Sequence, residues 1–100
     1  MYDMKNLAKL KTLGQLAPET WKAFVAFDEL ATRAGAIPAK YKELMAVAVA
    51  LTTQCPYCIE IHSKKARQAG ANEQELAETT LVAAALRAGG AVAHGTHTLA

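Results

Sequence analysis

The stretch Glu43–His62, ELMAVAVALTTQCPYCIEIH, holds both cysteines of the chain in one Cys-Pro-Tyr-Cys box, and the rest of the sequence reads outward from it. Pro56 has a fixed φ and no backbone N–H, so it suits the first turn of a helix and not its interior. A helix is therefore expected to start at Cys55 or Pro56. Upstream, Pro38 opens another helix, which the apolar run Leu44 to Leu51 carries until Thr52, Thr53 and Gln54 weaken it. If the two helices fold back antiparallel, residues equally far from the turn lie level, at a rise of about 1.5 Å per residue. Glu43 and His62 are such a pair. Cys58 and His62 share a face at a spacing of four, and Cys55 and Cys58 stand at the spacing of three that lets a disulfide close across a first turn.

Carboxylate, imidazole, thiol and thiol then form one line with a use. Only the thiolate is nucleophilic, and an ordinary thiol, with a pKa of about 8.5, is mostly protonated at neutral pH. The free N–H groups at a helix start favour negative charge on either sulfur, and His62 can take a proton or hold a thiolate as an ion pair. Glu43 completes the set by orienting the imidazole. Taken alone, Glu43 is also an acid in the first turns of a helix, where the dipole favours it.

The pattern Glu43, Cys55, Cys58, His62 resembles the signature of the alkylhydroperoxidase D (AhpD)-like branch of the carboxymuconolactone decarboxylase superfamily. The helical patterning on either side is also similar to the small single-domain members. The resemblance implies an all-α, AhpD-like helical domain over residues 1–100, with the CxxC at the N-terminus of a helix and subunits assembled as a homotrimer or homohexamer. It implies hydroperoxide reduction through a dithiol–disulfide cycle: Cys58 attacks, Cys55 resolves, and Glu43 with His62 relays protons. It also implies a dithiol or lipoyl-bearing protein as reductant, with no metal or organic cofactor in the subunit. The well-studied peroxidases carry a His immediately before the second cysteine, where this chain has Tyr57, a substrate-proximal phenol that cannot shuttle protons near neutrality as imidazole can. Which cysteine ionises first stays open, because Cys55 is nearer the helix start and Cys58 nearer His62.

Other readings compete for the box. Cys55, Cys58 and His62 with His94 or His97 are a conceivable zinc set, but compact zinc sites usually pair a CxxC with a second closely spaced Cys or His pair. Haem attachment needs a His where Ile59 stands, and a thioredoxin fold needs strands that the sequence does not alternate to form. A lactone decarboxylase would not require both cysteines. A redox-sensing subunit would switch once per signal without turnover.

At 100 residues the chain is expected to be one small domain, yet 52% of it is hydrophobic, much of that alanine. So much apolar surface on so small a core predicts an oligomer. The net charge of +2 is spread along the chain, which gives no nucleic-acid footprint; Lys64, Lys65 and Arg67 read as a solvated helix face or as steering for an acidic partner. The run Leu44 to Leu51 is too short to span a membrane and no targeting segment is visible, so a cytoplasmic protein that does not engage a membrane is expected. Met4 to Leu16 reads as a short docking helix. Pro18 to about Ala34 reads as a second, with Trp21, Phe24, Val25, Phe27, Leu30 and Ala31 expected to fill a core. Gly70 is a C-terminal stop, Asn72 with Glu75 a capping box, and Gly89-Gly90 a tight crossing or the end of the last helix. His94 and His97 fall in a tail expected to be weakly ordered.

Overall fold

The computed structural model describes residues 2–100. The expected all-helical class is the one adopted: α1 (Leu10–Leu16), α2 (Pro18–Thr32), α3 (Ala39–Thr53), α4 (Pro56–Gln68) and α5 (Glu73–Gly95), with 3-10 helices at Met4–Lys9 and Thr96–Thr98. Among the described residues there is no strand.

The core is the packing of α3 against α4 and α5. Its buried apolar members are small: Val47 and Ala50 on α3, Ala66 on α4, Ala71 in the following turn and Ala83 on α5. Small side chains at facing positions let helix axes approach closely. The turn between α3 and α4 is made by Gln54 in the left-handed conformation, φ 56° and ψ 47°, an unusual place for a residue with a Cβ. The N–H of Cys55 returns to the carbonyl of Ala50 at 3.0 Å. The reversal is thus held by backbone bonding immediately before the cysteine box.

Local chemistry ends and starts the neighbouring helices. At the end of α4, Gly70 takes φ +102°. Its N–H bonds the carbonyl of Arg67 at 3.0 Å, and that of Ala71 bonds the carbonyl of Ala66 at 2.9 Å. These are the paired bonds of a Schellman cap. The Asn72 carbonyl oxygen Oδ1 accepts from the N–H of Glu75 at 2.8 Å, while the Asn72 N–H donates to Glu75 Oε1 at 3.0 Å, closing the capping box. Glu75 also pairs with Lys40 at 2.9 Å, and Arg87 donates to the carbonyl of Thr52 at 2.7 Å. Both contacts tie α5 to α3, the second by meeting an otherwise unpaired carbonyl in the last turn of a helix.

Three expectations change. The aromatics of α2 do not fill a core of this subunit: Phe24 is 53% and Phe27 68% exposed, because α2 makes only a slight contact with α3. Trp21 instead lies over Gly14, where an added Cβ would come within 2.6 Å of the indole. Gly14 is a packing residue as well as a weak point of its helix. The Gly89-Gly90 pair neither ends α5 nor marks a crossing; the helix runs through it, with nothing within 4 Å of the space a Cβ would take. The tail is helical to Gly95 and then a 3-10 turn, with the His94 and His97 rings 5.8 Å apart.

The chain folds into an open shape. Its radius of gyration is 16.6 Å, against about 13 Å for a compact domain of this length. Phe24, Phe27 and Leu30 on α2 and Leu81, Val82, Leu86 and Val92 on α5 all lie more than half exposed. By length and composition, the segment Glu73–Thr98 is also long and apolar enough to cross a membrane.

Candidate active site

The box sits where the backbone prepares it. Cys55 is the N-cap of α4 with φ −98° and ψ 99°, and Pro56 occupies the first helical turn, where its missing N–H costs nothing. The sulfur of Cys55 accepts from the backbone N–H of Cys58 at 3.3 Å, the role an oxygen plays in an ordinary cap. Both cysteines are free and half-buried, and their Sγ atoms lie in hydrogen-bond contact at 2.7 Å.

This arrangement treats the two thiols unequally. The thiol hydrogen of Cys58 stabilises a Cys55 thiolate, the backbone N–H groups of Cys58 and Tyr57 add to it, and the Cys55 pKa falls below the ordinary thiol value. Cys58 is pushed up to about 11, first by giving its hydrogen to Cys55, then by burial and by repulsion from the Cys55 charge and from Asp28 on α2. The pair loses its first proton as a unit, and that first charge settles on Cys55 rather than Cys58.

One turn along α4, His62 Nδ1 lies 2.7 Å from Glu43 Oε2. Glu43 is the buried acid of the chain, and the imidazole is what makes its burial affordable. The side chains of His62 and Glu43 are 19% and 11% exposed, so the pair is largely screened from solvent. With Nδ1 committed to the carboxylate, the imidazole has Nε2 left for proton transfer. Among the described residues no hydrogen bond joins this pair to the sulfurs; the dithiol and the carboxylate–imidazole pair are separate units on one helix.

Tyr57 faces different company. Its hydroxyl accepts from the N–H of Asp3 at 3.4 Å and from Asn6 Nδ2 at 3.3 Å, and its ring meets Tyr2 edge-on at 5.0 Å. Tyr2 in turn donates to Glu60 Oε2 at 3.3 Å. Tyr57 therefore anchors an N-terminal arm beside the box. Sequence reasoning missed Tyr2, Asn6 and Glu60, because the contacts of Tyr2 and Asn6 with Tyr57 and of Tyr2 with Glu60 each span more than fifty residues and no local pattern announces them. Among the described residues no group of three or more His, Cys, Asp or Glu side chains is arranged to hold a metal ion.

Residues 18–99 match the model of the carboxymuconolactone decarboxylase family. A protein of Paracoccus denitrificans, described as uncharacterized protein 4 in the cox locus, is 47% identical over 78% of this chain and 70% of its own length. An uncharacterized protein of Cupriavidus necator is 37% identical over 70% of this chain and 62% of its own. Among solved structures, the apo form of a carboxymuconolactone decarboxylase family protein from Legionella pneumophila superposes with a TM-score of 0.77 at 34% identity, over 82% of this chain and 73% of that one. A protein from Methanobacterium thermoautotrophicum superposes with a TM-score of 0.81 at 32% identity, over 86% of this chain and 97% of that one.

The unequal thiols have a measurable consequence. Alkylation of the reduced protein by iodoacetamide, located by peptide mass, is expected at Cys55 first, with a rate–pH midpoint below that of an ordinary thiol. Its folded pKa is depressed, so the thiolate persists to lower pH. Cys58→Ala removes the donor and is expected to move the midpoint of Cys55 upward.

Proposed function

This chain belongs to the carboxymuconolactone decarboxylase family, and within it we propose an AhpD-like thiol peroxidase that reduces organic hydroperoxides through a Cys55–Cys58 dithiol–disulfide cycle. The observation that carries the reading is the pair of free sulfurs 2.7 Å apart at the start of α4, on the same helix as an imidazole held by a buried carboxylate. Two reducing equivalents are thus stored next to a group able to move a proton.

The geometry supports the following cycle. In the monoanion of the pair the charge favours Cys55 and the proton Cys58. Transfer of that proton across the short S···S contact exposes a Cys58 thiolate one helical turn from His62. The thiolate attacks the terminal peroxide oxygen; the O–O bond breaks, Cys58 becomes a sulfenic acid, and the alkoxide leaves as alcohol with a proton relayed by His62. Cys55 then attacks the Cys58 sulfur and expels water. The sum is two thiols and one hydroperoxide converted to a disulfide, an alcohol and water. A thiol reductant restores the pair in a reducing compartment such as the cytoplasm. In this scheme Glu43 is a positioning residue, acting through His62. Tyr57, bound by the N-terminal arm, shapes the surroundings of the box and carries no proton.

The working unit in this proposal is an assembly of copies, homotrimer or homohexamer. The exposed apolar rows on α2 and α5 support it, since a lone subunit would leave them in water.

Intact mass and free-thiol titration test the chemistry. Stoichiometric cumene hydroperoxide is expected to remove both thiols of the reduced protein with the mass of one internal disulfide. Cys55→Ser is expected to stop at a sulfenic acid, and Cys58→Ser to form none. Both thiols persisting in excess peroxide would sink the peroxidase reading, and a sulfenic acid in Cys58→Ser alone would reverse the order of attack. Light scattering tests the assembly: a mass three or six times 10.6 kDa is expected in plain buffer, whereas a monomer, or a chain soluble only in detergent, contradicts it.

A further inference from the structure

Helix α2 turns one narrow side toward the rest of the chain. Its partly covered side chains are Trp21, Val25 and Thr32, and the other residues of Pro18–Thr32 are exposed. Asp28 stands three residues after Val25 and four before Thr32, so it falls on the same line. At 3.6 residues per turn, all four side chains start within about 60° of one another around the helix axis. Glu29 is turned about 100° from Asp28, and it lies with Ala26, Leu30 and Arg33 along another side. Asp28 is thus the acid on the inward line of α2.

That line is held against the site. Lys42 Nζ on α3 donates to the carbonyl of Ala31 at 3.0 Å. The bond meets one of the carbonyls left open in the last turn of α2. Lys42 immediately precedes Glu43, so the tie lands on the same turn of α3 as the carboxylate that holds His62. Thr32 Oγ1 donates to the carbonyl of Asp28 at 2.8 Å, inside the same turn of α2.

From there the Asp28 carboxylate acts through space on Cys58, whereas the influences on Cys55 come from Cys58, Tyr57 and burial. Among the described residues the Asp28 side chain has neither an ion-pair nor a hydrogen-bond partner, so its charge is not neutralised. Such a charge works against the nucleophile, because it disfavours the Cys58 thiolate. It also takes no part in the hydrogen bond between Glu43 and His62. What a fixed charge beside a reacting sulfur can do is sort the reagents that approach it by their own charge.

We propose that Asp28 is a specificity-determining residue, which makes the approach to Cys58 favour uncharged hydroperoxides over those that carry a carboxylate. The inference rests on the Cys55–Cys58 cycle and adds to it the charge class of its substrate. The bonds that form and break are those of that cycle. Asp28 acts before them, on the reagent as it nears the sulfur.

Matched reagents test the assignment. Cumene hydroperoxide and its para-carboxylate differ by one charge remote from the O–O bond, and single-turnover loss of free thiols gives a rate for each. The ratio of the neutral to the anionic rate is expected to fall about twofold to fivefold in Asp28→Asn, the range that one exposed charge supports. It is expected to fall likewise in about 1 M salt, where the screening length is about 3 Å. Asp28→Glu and Glu29→Gln are expected to keep it. A second pair of reagents reads the same charge without peroxide: in Cys55→Ser, the ratio of iodoacetamide to iodoacetate rates at Cys58 is expected to fall by a similar factor when Asp28→Asn is added. An unchanged ratio in Asp28→Asn overturns the inference, and so does an equal fall in Glu29→Gln, which would report net charge alone. Thiols left intact by both peroxides are a separate result, which removes the cycle and the substrate class with it.

Discussion

The hydrogen bond between Glu43 and His62 crosses from the start of α3 to the middle of α4. A carboxylate in the core is costly unless a partner meets it, and this chain places one acid there. The imidazole that meets it ties α4 to α3 in the register that the backbone-held reversal at Gln54 and Cys55 provides. The left-handed Gln54, the N-cap at Cys55 and Pro56 in the first turn all follow from a reversal at that point. One polar contact in an alanine core therefore links the fold to the position of both sulfurs.

The remaining packing is economical. Val47, Ala50, Ala66, Ala71 and Ala83 bring three helices together with little side-chain volume, and polar ties such as Lys40–Glu75 and Arg87 on the Thr52 carbonyl hold α5 in place. A core of this size leaves α2 and the outer face of α5 without partners in the subunit. The open shape and the chemistry are thereby separated: the site is built within α3 and α4, while the apolar rows belong to surfaces turned away from that core.

Much of the site was legible because its constraints are local. Spacing alone put Glu43 level with His62, Pro56 at a helix start and Cys55 within a turn of Cys58, and the capping box at Asn72 and Glu75 follows from residue types three apart. The family followed from the same four residues. What did not show in the sequence depended on distance along the chain or on numbers of neighbours. The α2 aromatics have a core-like pattern whether their partner is this subunit or another surface. Gly89-Gly90 has the composition of a break, yet the alanine-rich helix on both sides outweighs it. Tyr57 could be recognised as a departure from the family pattern, but its hold on Tyr2, Asp3 and Asn6 is purely tertiary.

The unequal thiols also clarify the chemistry. Charge resting on Cys55 and peroxide attack by Cys58 are compatible when the proton between them is mobile, because the sulfurs are already in hydrogen-bond contact. The proposed division of labour then assigns peroxide cleavage to Cys58, four residues from the imidazole on one helix, and resolution to Cys55. The account stands or falls on whether His62 moves a proton in that cleavage. The decisive measurement is the single-turnover rate of disulfide formation with cumene hydroperoxide in His62→Gln, beside the iodoacetamide rate at Cys55 in the same variant. Glutamine can still donate to Glu43, but it cannot relay a proton. The account predicts a loss of roughly a hundredfold or more in the peroxide rate with little change in alkylation; an unchanged peroxide rate would contradict it.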